Sequence, residues 1–187
     1  MDIVRVISGT AKGHKLKTVK GITTRPTSDR VKESLFNIIT PFIMDSEVLD
    51  LFAGTGSLGI EALSRGARLA VLVDKSRECC DIIKENLVHT KLQEKCTVYN
   101  ADFVDIVARM AGEGRKFDII LLDPPYNKNF IQEMLKILMK NDIIRNNGIL
   151  IAEHRIDDTL PESEGMLKIA DKRVFGDTVL SIYRKGR

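Results

Sequence analysis

The sequence predicts an α/β protein with a mainly parallel, seven-stranded sheet, helices on both faces, an antiparallel hairpin at the C-terminal edge and a small basic hairpin arm in front. Three observations lead there. Short apolar runs alternate with amphipathic stripes between residues 47 and 153, a glycine-rich turn follows the first run, and the last two runs flank Gly176-Asp177, a two-residue hairpin signal.

Residues 1–32 hold eight cations against two acids, a net of +6 in a chain whose total is only +3. A basic arm on a mildly acidic body suits a polyanion partner, although a solvated basic loop has the same composition. Within it, "VRVISG" and "HKLKTV" flank Ala11 to Gly13 and read as a hairpin outside the main sheet. We place this arm at residues 1–24 and the main domain at 25–187. Val31, Leu35, Ile38 and Ile39 then repeat at helical spacing, predicting a helix that ends near Pro41.

The runs at 47–52, 69–74, 96–101, 117–123 and 148–153 read as strands, several buried on both faces. Between them, Cys79, Ile82, Ile83 and Leu87 mark one helix, Phe103, Ile106, Val107 and Met110 a second, and Phe130, Met134 and Leu138 a third. Repeated strand and helix units of this length give a parallel sheet covered on both faces. The runs 166–175 and 178–185 close its edge.

With 187 residues and 43% hydrophobic content the chain suits one domain with one main core. No run approaches the ~20 apolar residues of a membrane span, and Met1 to Ser8 lacks the apolar stretch of a secretory leader, so a cytoplasmic location is expected. Cys79, Cys80 and Cys96 have neither disulfide-framework nor zinc-knuckle spacing; they are expected to be buried or half-buried thiols, with no metal site.

The first strand runs into "DLFAGTGSLG", where Gly54, Gly56 and Gly59 fit a nucleoside-binding turn and Asp74 lies 20 residues beyond Gly54 at the tip of the next strand. Such a Rossmann-like turn lets the backbone approach a ligand, while the acid accepts from ribose hydroxyls. A nicotinamide dinucleotide and S-adenosylmethionine both offer that ribose. Asp50 favours the second, because a carboxylate ahead of the glycines repels a pyrophosphate and attracts an ammonium and sulfonium end. Asp102, past the third strand, could bond the adenine amino group with Phe103 against the ring; it is equally suited to capping the next helix.

The fourth strand ends in "IILLDPPYNK". An amino group on a nucleobase is a poor nucleophile because its lone pair is delocalised into the ring. Two acceptors, the Asp123 carboxylate and the Pro124 carbonyl, would hold both amino hydrogens and free the lone pair. Pro124 keeps Asp123 out of helical geometry, and neither proline has an N–H to occupy nearby carbonyls. Tyr126 offers a stacking face for a base that is unpaired or flipped out. The bland alternative is a Pro-Pro turn with a solvent-facing tyrosine.

These motifs resemble the class I adenosylmethionine-dependent methyltransferases, and more closely the bacterial 16S ribosomal RNA guanine-N2 methyltransferases of the RsmD type. The resemblance covers essentially the whole chain and rests on "RVISGTAKGHKL", "RPTSDRVKESLFNI", "VLDLFAGTGSLGIEALSRGA", "LVDKS", "LLDPPY" and "AEH" in combination. It implies N2 methylation of the guanine conventionally numbered 966, with small-subunit RNA, partly or fully assembled, as partner and S-adenosylmethionine as methyl donor. It further implies a cofactor site drawn from Asp50, Phe52, Gly54, Gly56, Asp74, Lys75, Asp102, Phe103 and Asp123, with Thr27 and Arg30 contributed by a lid helix spanning 25–36. Arg5, Lys12, Lys15, Lys17, Arg25 and Tyr126 would meet RNA, and Asp123, Pro124 and Tyr126 would serve the reaction. Lys32 stands where most relatives are expected to carry an arginine, and His154 is a polar group near the crevice, more often structural than functional at a strand end.

Within the same chemistry, other amino acceptors (DNA adenine or cytosine, other RNA, protein glutamine) fit the same loop. A nicotinamide-dependent dehydrogenase would share the glycine turn but leaves Asp-Pro-Pro-Tyr without a role, and a non-catalytic RNA-binding protein would share the arm.

Overall fold

The computed structural model describes residues 4–19, 29–125 and 130–186. Helix α1 (Asp29–Ile43) is followed by β1 (Glu47–Asp50), α2 (Ser57–Ser64), β2 (Leu69–Asp74), α3 (Arg77–Thr90), β3 (Cys96–Asn100), α4 (Phe103–Gly112), β4 (Phe117–Leu122), α5 (Phe130–Asn141), β5 (Ile144–Arg155), β6 (Ser163–Glu164), β7 (Leu167–Phe175) and β8 (Thr178–Lys185). The strands form one sheet in the order β3-β2-β1-β4-β5-β8-β7-β6. β1 to β5 are parallel, and β8, β7 and β6 are added antiparallel.

Strand alternation sends Val48, Leu72, Ile119, Leu121 and Ile151 into one core under α1, α2 and α3. Leu49, Val71, Ile120, Leu122 and Ala152 enter another under α4 and α5. Both faces of the central strands are therefore apolar, which is why those runs lack alternation in sequence. Because β1 lies between β2 and β4, the chain reverses its direction of travel across the sheet there, and the crevice for a ligand opens at the strands' carboxyl ends.

Four expectations need adjustment. The sheet has eight strands, not seven; β6 is two residues long and too short to leave an apolar pattern. Helix α1 runs past Pro41 to Ile43, since in the last turn proline forfeits only one helical N–H and the helix gains Ile43 as a buried residue. β1 stops at Asp50, two residues early, because the chain turns so that the Leu51 N–H still reaches the Leu121 carbonyl while that of Ala53 bonds Val73 on the other side. β5 begins at Ile144, four residues early; Asn146 and Asn147, the latter with φ of 62°, mask its first turn in the sequence.

The N-terminal segment pairs through one bridge, Arg5 with Lys15, flanked by bonds from Val6 N to His14 O (3.0 Å) and Leu16 N to Val4 O (2.8 Å). It lies outside the sheet yet is packed on the body, with Val4, Val6, Ala11 and Leu16 buried in the first core. Cys79 and Cys80 are buried and Cys96 half-buried. Among the described residues no helix is long and apolar enough to cross a membrane.

Candidate active site

The crevice is built from strand tips. Gly54 and Gly56 adopt φ of 54° and 79°, conformations that side chains resist, and Gly56 heads helix α2. The three glycines have different surroundings. A Cβ on Gly54 would meet open space, whereas one on Gly59 would lie 2.7 Å from the Leu72 side chain. Gly54 thus leaves room for a ligand and Gly59 lets α2 sit tightly on β2.

Asp74, half-buried at the tip of β2, fastens the loop. One carboxylate oxygen accepts from Gly54 N at 2.9 Å and the other from Ser76 N at 2.8 Å. Each oxygen keeps a lone-pair site for a hydroxyl. Lys75 is exposed, and its carbonyl accepts from Asn100 Nδ2 at 2.9 Å.

Asp50 is the anomaly. It is 1% exposed, and neither carboxylate oxygen has a hydrogen-bond partner among the described residues. Burial pushes its pKa from 3.8 up to about 7, and the charge of Asp74 adds to the shift; the Gly59 and Phe52 amides oppose it without reaching hydrogen-bond geometry. A carboxylate sealed from water with nothing to bond is costly in a folded chain. It fits a site shaped for a cationic group, and Gly54, Asp74 and Asp50 together fit an adenosine ligand with a positive end.

Asp102 caps α4, its Oδ1 accepting from Val104 N at 3.0 Å. Phe103 is 5% exposed and stacks on half-buried Phe52 with ring centroids 6.1 Å apart; Phe130 meets Phe52 edge-on at 6.0 Å. This aromatic group packs with the core beneath α4 and α5.

Asp123 is half-buried one residue beyond β4, with Pro124 buried and Pro125 exposed. β4 and β5 pair as far as Leu122 with Ala152, and Asp123 and Glu153 come next on the two chains. Tyr126, Thr27 and Arg25 lie outside the described residues. Arg30 is exposed on α1.

Of the arm residues, Arg5 pairs with Asp29 at 3.1 Å and Lys17 with Glu85 at 2.6 Å, while Lys12 and Lys15 are exposed. The arm is held by groups that sequence reasoning missed. Glu61, fully buried, accepts from Ile7 N (2.7 Å), Ser8 N (3.0 Å) and Arg65 Nε (2.7 Å). Ser64 Oγ accepts from Ala11 N (2.9 Å) and donates to Ser8 O (2.6 Å). Asn86, 1% exposed, accepts from Lys17 N (2.8 Å) and donates to Lys17 O and to Thr55 O inside the glycine loop (both 3.0 Å). A signal existed for each: Glu61 is an acid inside the apolar "LGIEALS", and Asn86 falls three residues after Ile83 on the buried stripe of α3.

Lys32 also belongs to this anchor. It is 1% exposed, donates to the Arg5 carbonyl and lies 3.9 Å from Glu61, while burial lowers its pKa. A single reaching ammonium suffices for that contact, so the bidentate fork of an arginine is not required. His154 is 4% exposed with both ring nitrogens engaged, Nδ1 on Arg155 O and Nε2 on Ser181 Oγ, each at 2.8 Å. Burial lowers its pKa, and it serves to join β5 to β8.

A 3-2-1-4-5 parallel order, an antiparallel C-terminal extension and a glycine loop at the switch point define a Rossmann-like methyltransferase fold. The chain belongs to the family described as "Conserved hypothetical protein 95", which matches residues 4–184. It is 40% identical over 182 residues to "Putative rRNA methyltransferase YlbH" of Bacillus subtilis, covering 97% of this chain and 99% of that one. It is 37% identical over 168 residues to "Ribosomal RNA small subunit methyltransferase D" of Haemophilus influenzae, covering 88% and 86% of the two chains. Among solved structures, "Putative methyltransferase yhhF from Escherichia coli" superposes with a TM-score of 0.88 at 31% identity, covering 99% of each chain.

Proposed function

We propose that this chain transfers a methyl group from S-adenosylmethionine to the exocyclic N2 amino group of a guanine in small-subunit ribosomal RNA, the base conventionally numbered 966. One observation supports the reading: Asp123 follows β4 two residues beyond Leu121, the register partner of Asp50, whose buried carboxylate has no hydrogen-bond partner among the described residues. The names of the relatives, ribosomal RNA methyltransferases, supply the substrate class.

In this reading Asp50 would hold the charged methionine end of the cofactor, directly or through water, Asp74 would accept from its ribose, and the Gly54 backbone would let it approach. The bound cofactor supplies a methyl group on a sulfonium, which departs as a neutral thioether. The Asp123 carboxylate and Pro124 carbonyl accept the two amino hydrogens, turning the N2 lone pair toward that carbon. Methyl transfer to N2 would leave it cationic, and Asp123 or a water would take the proton it sheds. Tyr126 would stack on the base, Thr27 and Arg30 would close over the cofactor, and Arg5, Lys12, Lys15, Lys17 and Arg25 would meet RNA phosphates, whose neutralisation supplies much of the affinity.

Asp123→Ala tests the central step. It should cut methyl transfer to small-subunit RNA or particles by at least about 100-fold, the scale of losing one transition-state hydrogen-bonding group, while cofactor affinity stays within a few-fold. A fully active variant would remove the amino-acceptor role. Absence of N2-methylguanine among the labelled products of the wild type would remove the guanine assignment.

A further inference from the structure

The amino clamp explains why an amino group is methylated but not why it should be guanine's, because adenine and cytosine also carry one. We infer that Glu153 makes this choice by accepting the guanine N1–H, an inference that rests on the function proposed above.

Its position follows from the sheet. β4 and β5 are parallel with Leu121 opposite Ile151 and Leu122 opposite Ala152, so Asp123 and Glu153 come next on the two chains, one step beyond the last paired residues. Adjacent strands lie about 4.8 Å apart. Leu121 and Ile151 both enter the core beneath α1 to α3, so two residues further on, strand alternation carries Glu153, and Asp123 just past its strand, to that same face. It is the face beneath which the arm is anchored. Glu153 is also 6% exposed, and both acids are engaged within the protein, so neither is a freely moving surface group.

The chemistry singles out one base. On guanine, the atom next to the amino-bearing carbon on the Watson–Crick edge is N1–H, a donor. On adenine and cytosine the corresponding ring nitrogen is an acceptor. A carboxylate standing one strand over from the amino clamp therefore completes a row of acceptors matching N1–H and N2–H2 of guanine. It places charge against a lone pair with either alternative base, and such a mismatch discriminates more strongly than pocket shape does. Glu153 would touch the substrate without touching the reacting nitrogen, making it a specificity residue distinct in role from Asp123.

The test replaces one atom pair. Small-subunit particles reconstituted with 2-aminopurine at the target keep the 2-amino group but present a bare N1. For the wild type, kcat/KM on this substrate should fall about 10- to 100-fold below guanine, the scale of one charge-assisted hydrogen bond. For Glu153→Ala the guanine rate should fall by a similar factor, and the ratio between the two bases should shrink to about threefold or less, since N1–H no longer has its partner; Glu153→Gln, whose amide oxygen still accepts but carries no charge, should fall between Ala and the wild type. Affinity for S-adenosylhomocysteine should stay within about threefold of the wild type.

A wild type that methylates 2-aminopurine as fast as guanine would overturn the inference, and this measurement needs no variant to fold. So would Glu153→Ala keeping the full wild-type ratio, because a structural glutamate would lower both rates together. Failure of the underlying function would look different: wild-type product lacking N2-methylguanine altogether.

Discussion

The unpartnered Asp50 carboxylate makes a prediction whose sign is fixed by its surroundings. Folding raises its pKa from 3.8 to about 7. Between those values the folded chain holds a proton that the unfolded chain has released, so stability falls as pH rises through the window and levels off above about pH 7. At about 1.4 kcal/mol per pKa unit, the ionised group costs the cofactor-free protein up to about 4 kcal/mol at pH 8 and under about 2 kcal/mol at pH 5. Asp50→Asn abolishes the titration. Whatever constant offset the buried amide introduces, the variant should gain roughly 2 to 3 kcal/mol on the wild type between pH 5 and pH 8. Urea unfolding of both proteins at the two pH values, without cofactor, measures this directly. The same variant should bind S-adenosylhomocysteine about 10- to 100-fold more weakly at pH 8, having lost a charge-assisted contact to the ammonium. A gain independent of pH would refute the buried-carboxylate argument, and undiminished binding would refute its cofactor role.

Two further perturbations address the arm. Glu61→Gln removes the charge that faces Lys32 and Arg65 and that holds two arm amides; with Lys32 1% exposed, about 3 to 5 kcal/mol of stability should be lost. Limited proteolysis should then cleave near Lys12 and Lys15 faster than in the wild type, and unchanged cleavage would count against the anchor. Lys12→Ala and Lys15→Ala should each reduce the slope of log affinity for RNA against log salt by about 1 while leaving the thermal midpoint unchanged; an unaltered slope would place these lysines off the RNA.

The parallel body was legible because its determinants are local. Apolar runs buried on both faces, stripes at helical spacing and a glycine turn each announce an element without reference to the rest of the chain. β6 was not, as two residues paired with β7 carry no pattern of their own. The strand tips were legible as well, because topology alone sends Asp50, Asp74 and Asp123 to one edge. What the acids do there was not. Asp102 shows why: its cap on Val104 N is a local bond readable from sequence, whereas the burial of Asp50 depends on β2 and β4, which flank it on either side. Glu153 lay within a recognised strand, but its neighbour is fixed by the β4–β5 register, which no apolar pattern encodes.

The arm was legible in charge and hidden in attachment. A run of cations suggests a loose tail that searches for RNA, yet this segment is bonded at both ends of its turn to the helices that frame the glycine loop. Asn86 makes the connection short. One amide nitrogen donates both to Lys17 O in the arm and to Thr55 O between Gly54 and Gly56, so a single buried side chain separates the basic surface from the glycine loop. Gly9 shows how close that docking is: a Cβ there would lie 1.8 Å from the Ser64 carbonyl oxygen. With φ of 83° as well, the position is closed to other residues on both backbone and steric grounds. In the proposed function, an RNA held by these lysines would therefore be held at a fixed distance from the strand tips, and the arm would orient a base toward Asp123 with ordering already built into the folded chain.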